Sequence, residues 1–421
     1  VRSRAAHSTA AALCVLSLVG LSGTVVATPA AADDNPSIPI ASNSCQFGGD
    51  DIAGTPWSLQ RILLDEMWDN SRGENVKVAV IDTGVDRDNK QLQQAIDPDP
   101  KSRGKDYFVP SGDGTTDPVG HGTKVAGIIA ARQKDGTGFI GIAPRATIIP
   151  IRQNNNEGGG TAGTMASAIR YAVTAGAGVI NISQDTSSAL SPGSELEKAV
   201  EFALGKNVVV VAAAGNDGAS GKEKKTYPAS FPGVLAVAAS DRNNERASFS
   251  QPGDFIGVAA PGVDMVSTVP KGGQCIDNGT SFAAPYVAGV AALIRSKYPN
   301  WTEAQVVARI EQTAQRTDRG PNHLIGWGVV DPVAALTSDD PPTDKPTPDP
   351  ASLQLQNAGS SIVPGKLTIG ETTEERNARY GIYVVGAGIL IVAVVVGAGI
   401  AMRDWRRKHP INTHGEAMTN G

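Results

Sequence analysis

Asn278-Gly-Thr-Ser-Phe-Ala-Ala-Pro285 is the stretch around which the chain is organised. Gly279 reaches backbone angles closed to other residues, and Thr280 and Ser281 then stand where a helix can begin. Apolar residues follow at Tyr286, Val287, Val290, Leu293 and Ile294, the spacing of one buried helix face. Ser281 is therefore expected at a helix N-terminus, where free N–H groups and the helix dipole favour developing negative charge. Serine is also a common helix cap, so this stretch alone does not separate a nucleophile from a cap.

A serine hydroxyl becomes a nucleophile at neutral pH only beside a base that takes its proton. Of five histidines, His7 lies in a leader-like segment, and His409 and His414 follow a long hydrophobic run. His323 sits in the polar turn Arg319-Gly-Pro-Asn-His323 and reads as a solvated loop residue. His121 opens His-Gly-Thr-Lys-Val-Ala-Gly-Ile-Ile-Ala, a glycine-flanked polar residue entering an apolar helix. Asp82 ends the apolar strand Val76-Lys-Val-Ala-Val-Ile-Asp-Thr-Gly84, just before a glycine turn. That is the carboxyl edge of a sheet, where α/β proteins place their chemistry.

The order Asp82, His121, Ser281 is one of the three chain orders in which an acid–imidazole–serine triad occurs. Ile-Asp-Thr-Gly, His-Gly-Thr and Gly-Thr-Ser-Phe-Ala-Ala-Pro resemble the three signatures of subtilisin-like serine proteases, over about residues 57–336. The resemblance implies a three-layer α/β fold with a mostly parallel sheet, and peptide-bond hydrolysis through those three residues. It gives Asn216, in Ala214-Gly-Asn-Asp-Gly218, the role of oxyanion donor beside the Ser281 backbone N–H. It also places Ser183, Gln184 and Asp185 on the wall of the first specificity pocket. Subtilisins usually have Ser-Leu-Gly there, so this chain is expected to crowd that wall and add charge. Asn154 to Gly160 is expected to form the other edge of the groove. No cofactor and no metal site is expected.

With 421 residues and a formal net charge of −5, bulk electrostatics give no reason to expect a nucleic-acid partner. Three cysteines are present, Cys14 in the leader-like segment and Cys45 and Cys275 beyond it. An even pair in an oxidising compartment is expected to form a disulfide.

Residues 1–32 carry Arg2 and Arg4, an apolar stretch from Ala11 to Val26 and then Thr-Pro-Ala-Ala-Ala, the pattern of a secretory signal. An N-terminal membrane anchor is the other reading. Residues 33–56 form a polar extension too short to be a folded inhibitory prodomain. Strands are expected at 76–81, 146–151, 178–182, 208–212 and 234–238. Helices are expected at 57–70, 122–132, 161–175, 194–204, 281–297 and 303–315, with a short one after Pro332. Continuous apolar strands alternating with helices imply a parallel sheet covered on both faces. Gly136-Thr-Gly-Phe-Ile-Gly141 spells GxGxxG, but it follows a helix and runs into Ile-Ala-Pro144, so no dinucleotide site is expected. Residues 337–379 read as a proline-rich disordered linker. Residues 380–402 carry no charge and suffice to span a bilayer. Arg403, Arg406, Arg407 and Lys408 then place the tail, 403–421, in the cytoplasm by the positive-inside rule.

This whole arrangement resembles the mycosins, membrane-anchored proteases attached to type VII secretion systems of actinobacteria. The resemblance implies secreted protein or peptide substrates, a type VII secretion membrane complex as partner, and an extracytoplasmic catalytic domain on a single-pass cell-membrane anchor. Some mycosins carry a cysteine just before the site histidine, where this chain has Gly120. The alternative role is a structural subunit of the secretion complex with proteolysis dispensable. A free-standing nutritional protease fits the membrane span poorly.

Overall fold

Mostly apolar runs of β-branched and small residues form the interior of one seven-stranded sheet. In chain order its strands are β2 (Lys77–Asp82), β3 (Lys105–Asp106), β4 (Thr147–Arg152), β6 (Val179–Ile182), β7 (Val209–Ala213), β8 (Leu235–Ser240) and β9 (Ile256–Pro261). They lie in the order β3-β4-β2-β6-β7-β8-β9, every neighbouring pair parallel. The computed structural model describes residues 37–39, 45–99, 104–350 and 373–408, and it divides into a unit of residues 1–351 and a second of 352–421. The expected signal segment and cytoplasmic tail fall outside the described residues, except that the helix described below runs to Lys408.

Helices cover both faces of the sheet. On one side α3 (His121–Ala130), α6 (Thr280–Lys297), α7 (Glu303–Gln312) and α8 (Pro332–Thr337) close a core built on Val78, Val80, Val209, Val211 and Val237. On the other, α4 (Ala162–Thr174) and α5 (Glu195–Gly205) pack on Ala79, Ile81, Ile149, Ile180 and Val210. Alternate residues of one strand serve opposite cores, which is why these strands read as continuously apolar. The architecture is the subtilisin-like α/β sandwich.

Strand order reverses at β2, since the chain goes to β3 and β4 on one side and to β6 through β9 on the other. Ligand crevices of open α/β sheets form outside the carboxyl ends of the strands at such a point. Asp82 is the last residue of β2.

Three expectations need correction. The helix expected over 57–70 is two, α1 (Trp57–Gln60) and α2 (Leu64–Asn70), and no glycine or proline marks the break at Arg61–Leu63. Their indoles donate to different segments, Trp57 to the Val263 carbonyl and Trp68 to that of Ile142. β9 was not expected at all. The spacer expected from residue 337 is not free at its start, because its first part is fastened to the domain. Arg316 holds the Asp349 carboxylate at 2.6 and 3.2 Å, Arg309 Nη1 donates to the Ser338 carbonyl, and Thr347 N donates to Gln312.

The N-terminal extension also lies along the domain. Cys45 is bonded to Cys275, with 6.1 Å between their α-carbons. Cys275 lies on β11 (Gln274–Asp277), which pairs with β10 (Met265–Thr268). Gly48 N donates to the Pro270 carbonyl, and Asp51 pairs with Lys134. The disulfide closes a loop across 230 positions, so most of its effect falls on the unfolded chain. The C45S/C275S variant is expected to lose about 2–5 kcal/mol of stability in urea unfolding. An unchanged midpoint would show that the bridge restrains nothing.

GxGxxG at 136–141 serves packing. A β-carbon on Gly141 would stand 2.5 Å from Ala131 N and 2.6 Å from Ala130 N. In the second unit, α9 (Thr373–Lys408) includes a candidate membrane span, Arg376–Trp405, whose most apolar 18-residue stretch has a mean hydropathy of 2.7. It fits a single-pass membrane anchor.

Candidate active site

β2 delivers Asp82 to the carboxyl edge of the sheet, and the chain returns through α3 to set His121 against it. His121 Nδ1 and Asp82 Oδ1 are 2.8 Å apart, with both side chains buried. Thr83 N donates to the same oxygen at 2.8 Å. Asp82 Oδ2 is buried and accepts no hydrogen bond among the described residues. Glycine is required next to the histidine. A β-carbon on Gly122 would lie 2.1 Å from the Gly84 carbonyl oxygen and 3.0 Å from Asp82 Cβ, so any larger residue would push α3 off the strand end.

The first turn of α3 is capped by Asp117, a residue the sequence reading passed over. Its carboxylate accepts from Gly120 N (2.7 Å), Val119 N (3.1 Å), Thr123 N (2.8 Å), Thr123 Oγ1 (2.6 Å) and Thr83 Oγ1 (2.8 Å). Thr83 Oγ1 in turn accepts from Gly122 N at 2.9 Å. One carboxylate thus holds the residues on either side of the Asp82–His121 pair. The signal in the sequence is an acid three residues before the helix-opening glycine, a side-chain cap displaced by Gly120 in a left-handed conformation.

Ser281 is the second residue of α6. Gly279 precedes it at φ 153° and ψ 156°, a region essentially reserved for glycine. Pro285, four residues on, has no N–H to give the Ser281 carbonyl. The Ser281 hydroxyl donates to the Ser183 carbonyl at 2.9 Å. The neighbouring Phe282 ring lies 5.4 Å from the His121 ring and tilts against it. A second tie joins the two helices' entrances: buried Lys124, one turn after His121, meets Asp277 at 2.6 Å, and Asp277 leads into the Ser281 turn.

Asn216 follows β7. Its side-chain oxygen accepts from Thr280 N at 2.9 Å and from Thr280 Oγ1 at 3.0 Å. With that oxygen engaged, the amide N–H₂ is the part of this exposed side chain left to serve a ligand. Ser183 and Gln184, just past β6, are buried, and Asp185 is half-buried. Burial and the neighbouring Asp217 push the Asp185 carboxyl up to about 6. Gly159–Thr161, overlapping the end of the expected far edge of the groove, forms β5 and pairs antiparallel with β1 (Ser37–Pro39) of the extension. His323 is exposed, and with Glu223 and Asp254 it makes an exposed trio close enough to hold a cation.

A family profile described as the subtilase family, Peptidase S8, matches residues 73–328. The chain belongs to the subtilase family. Subtilisin Savinase of Lederbergia lenta is 39% identical over 281 residues, covering 66% of this chain and 98% of its own. Subtilisin DY of Bacillus licheniformis is 40% identical over 282 residues, again 66% and 98%. Among solved structures, the MycP3 protease from the type VII (ESX-3) secretion system is 37% identical, with a TM-score of 0.61 over 72% of this subtilase and 92% of that chain. MycP1 from Mycobacterium smegmatis is 29% identical, with a TM-score of 0.60 over 76% and 94%. This subtilase is a serine endopeptidase of the subtilisin type.

Proposed function

We propose that this subtilase cleaves peptide bonds through Asp82, His121 and Ser281, on the outer face of a membrane, as part of a type VII secretion system. The observation that carries the catalytic reading is the buried Asp82–His121 hydrogen bond at the switch point of the sheet, beside the helix that presents Ser281. Asp82 holds the Nδ1–H tautomer, leaving Nε2 as the base. The Ser281 hydroxyl exchanges the Ser183 carbonyl for His121 Nε2, gives up its proton there, and attacks the substrate carbonyl. The same proton then passes to the leaving amine. Negative charge on the carbonyl oxygen meets the Ser281 N–H, the positive end of α6 and the Asn216 amide. Catalytic hydrogen bonds commonly tighten only once substrate is bound, so the resting Ser183 contact is compatible with this role.

Substrate backbone lies along β5. Strand addition at a sheet edge supplies main-chain hydrogen bonds, and since β1 pairs with β5 antiparallel, substrate takes that edge in place of β1. The apolar α9 anchors the chain once, with the Arg403–Lys408 end cytoplasmic and the protease domain outside. Secretion context rests on the likeness to MycP3 and MycP1, each from a type VII system by its description.

A fluorophosphonate probe is expected to label Ser281, located by peptide mapping of the full-length protein. Labelling elsewhere, or none, would overturn the triad. Ser281→Ala cells compared with cells lacking the chain separate the two secretion roles. Unprocessed substrates with export intact in the variant mark a protease function, and export lost only on deletion marks a structural one.

A further inference from the structure

The wall segment after β6 differs from the subtilisin pattern by a carboxylate, and its position has a consequence for substrate choice. The Ser183 carbonyl receives the nucleophile's hydroxyl, and Asp185 stands two residues further along. Across the groove, Gly215 directly precedes Asn216. A β-carbon built on Gly215 would come within 3.0 Å of Asp185 Oδ2, so the carboxylate reaches across to the opposite wall. It therefore lies between the segment that meets the Ser281 hydroxyl and the turn that carries Asn216, the slot that the proposed groove offers a substrate side chain. Among the described residues no donor hydrogen-bonds to it and no cation lies within ion-pair distance, whereas Asp106, Asp117 and Asp277 all have such partners. Its charged surroundings are Asp217, which opposes its ionisation, and exposed Lys224, which favours it from the solvent side.

A desolvated carboxylate with no donor is a binding group without its partner. A bulky apolar side chain entering this slot would meet the carboxylate and strip its remaining water. A lysine or arginine side chain lays its methylenes along the walls and brings its cation to the acid. We infer that Asp185 is a specificity-determining residue that selects substrates with a basic side chain immediately before the cleaved bond. The inference rests on the proposed peptidase reading of the same groove.

The test profiles full-length enzyme on fluorogenic peptides that differ only at that residue, with active sites counted by fluorophosphonate. The wild type is expected to prefer Arg and Lys over Leu and Phe by about 100-fold in kcat/KM, the scale of a desolvated charge pair. Asp185→Asn keeps the size of the side chain and removes its charge, so the preference should collapse to within a few-fold. In wild type alone the basic-to-apolar ratio should rise as pH passes through about 6, where Asp185 ionises. That readout stands even where the variant fails to fold. A preference for small side chains that Asp185→Asn leaves intact would mean that Asp185 only fills the slot, and would overturn the inference. Failure of the probe to label the wild type would instead defeat the peptidase reading.

Discussion

His121→Ala is expected to lower peptide hydrolysis by about 10⁴- to 10⁶-fold while the protein stays folded. The imidazole is 1% exposed, its Nδ1 is committed to Asp82, and its ring rests on Phe282. Truncating it removes the base proposed for Ser281 and one of the donors to buried Asp82. The second loss costs about 1–3 kcal/mol of stability. It leaves the Asp117 cap of α3 in place, because that network uses backbone amides and Thr123, not the ring. Activity and stability are therefore expected to separate, with a modest fall in urea midpoint beside a near-complete loss of turnover. The decisive comparison is the double variant. If His121 acts only by activating Ser281, then His121→Ala combined with Ser281→Ala is no worse than either alone, since residues that work as one unit are strongly non-additive. Additive losses, or hydrolysis within tenfold of wild type in His121→Ala, would remove the imidazole from the role of base.

The central sheet was readable because buried parallel strands leave a plain trace, short runs of mostly apolar and largely β-branched or small residues between turn residues. β2, β4, β6, β7 and β8 all carry it. β9 does not. Ile256-Gly-Val-Ala-Ala-Pro261 mixes the two strongest strand-weakening residues with alanine, and it is held by its neighbours rather than by propensity. Pairing of β1 with β5 left no trace either, since Ser37–Pro39 and Gly159–Thr161 show no apolar alternation in the sequence. The same limit hid the docking of residues 338–350. A proline-rich acidic stretch reads as solvated, yet Arg309, Arg316 and Arg319 on the domain recruit its carbonyls and the Asp349 carboxylate. At the site, the polar residues in short glycine-flanked motifs stood out, whereas Asp117 and the buried Lys124–Asp277 pair did not. Both act on residues far away in sequence, and only the folded chain shows what they touch.

Asn216→Ala is expected to cut kcat by about 10²- to 10³-fold with little change in KM, the size carried over from the equivalent subtilisin donor. A donor that meets charge only in the transition state lowers the barrier without tightening the ground state. The structure complicates this variant, because Asn216 has a capping job besides the proposed oxyanion role. Its oxygen takes Thr280 N and Thr280 Oγ1 at the start of α6, and Thr280 is fully buried. Alanine therefore removes the proposed oxyanion donor and also strands two buried donors, at a cost of about 1–3 kcal/mol. Asn216→Asp separates the two. A carboxylate oxygen still caps Thr280, while its other oxygen has no proton to offer the oxyanion and repels it. This variant is expected to hold its stability near wild type and yet lose at least as much turnover as the alanine variant. If Asn216→Asp instead keeps both stability and turnover, then Asn216 is a cap for the nucleophile's helix, and the Ser281 N–H with the α6 dipole must stabilise the oxyanion unaided.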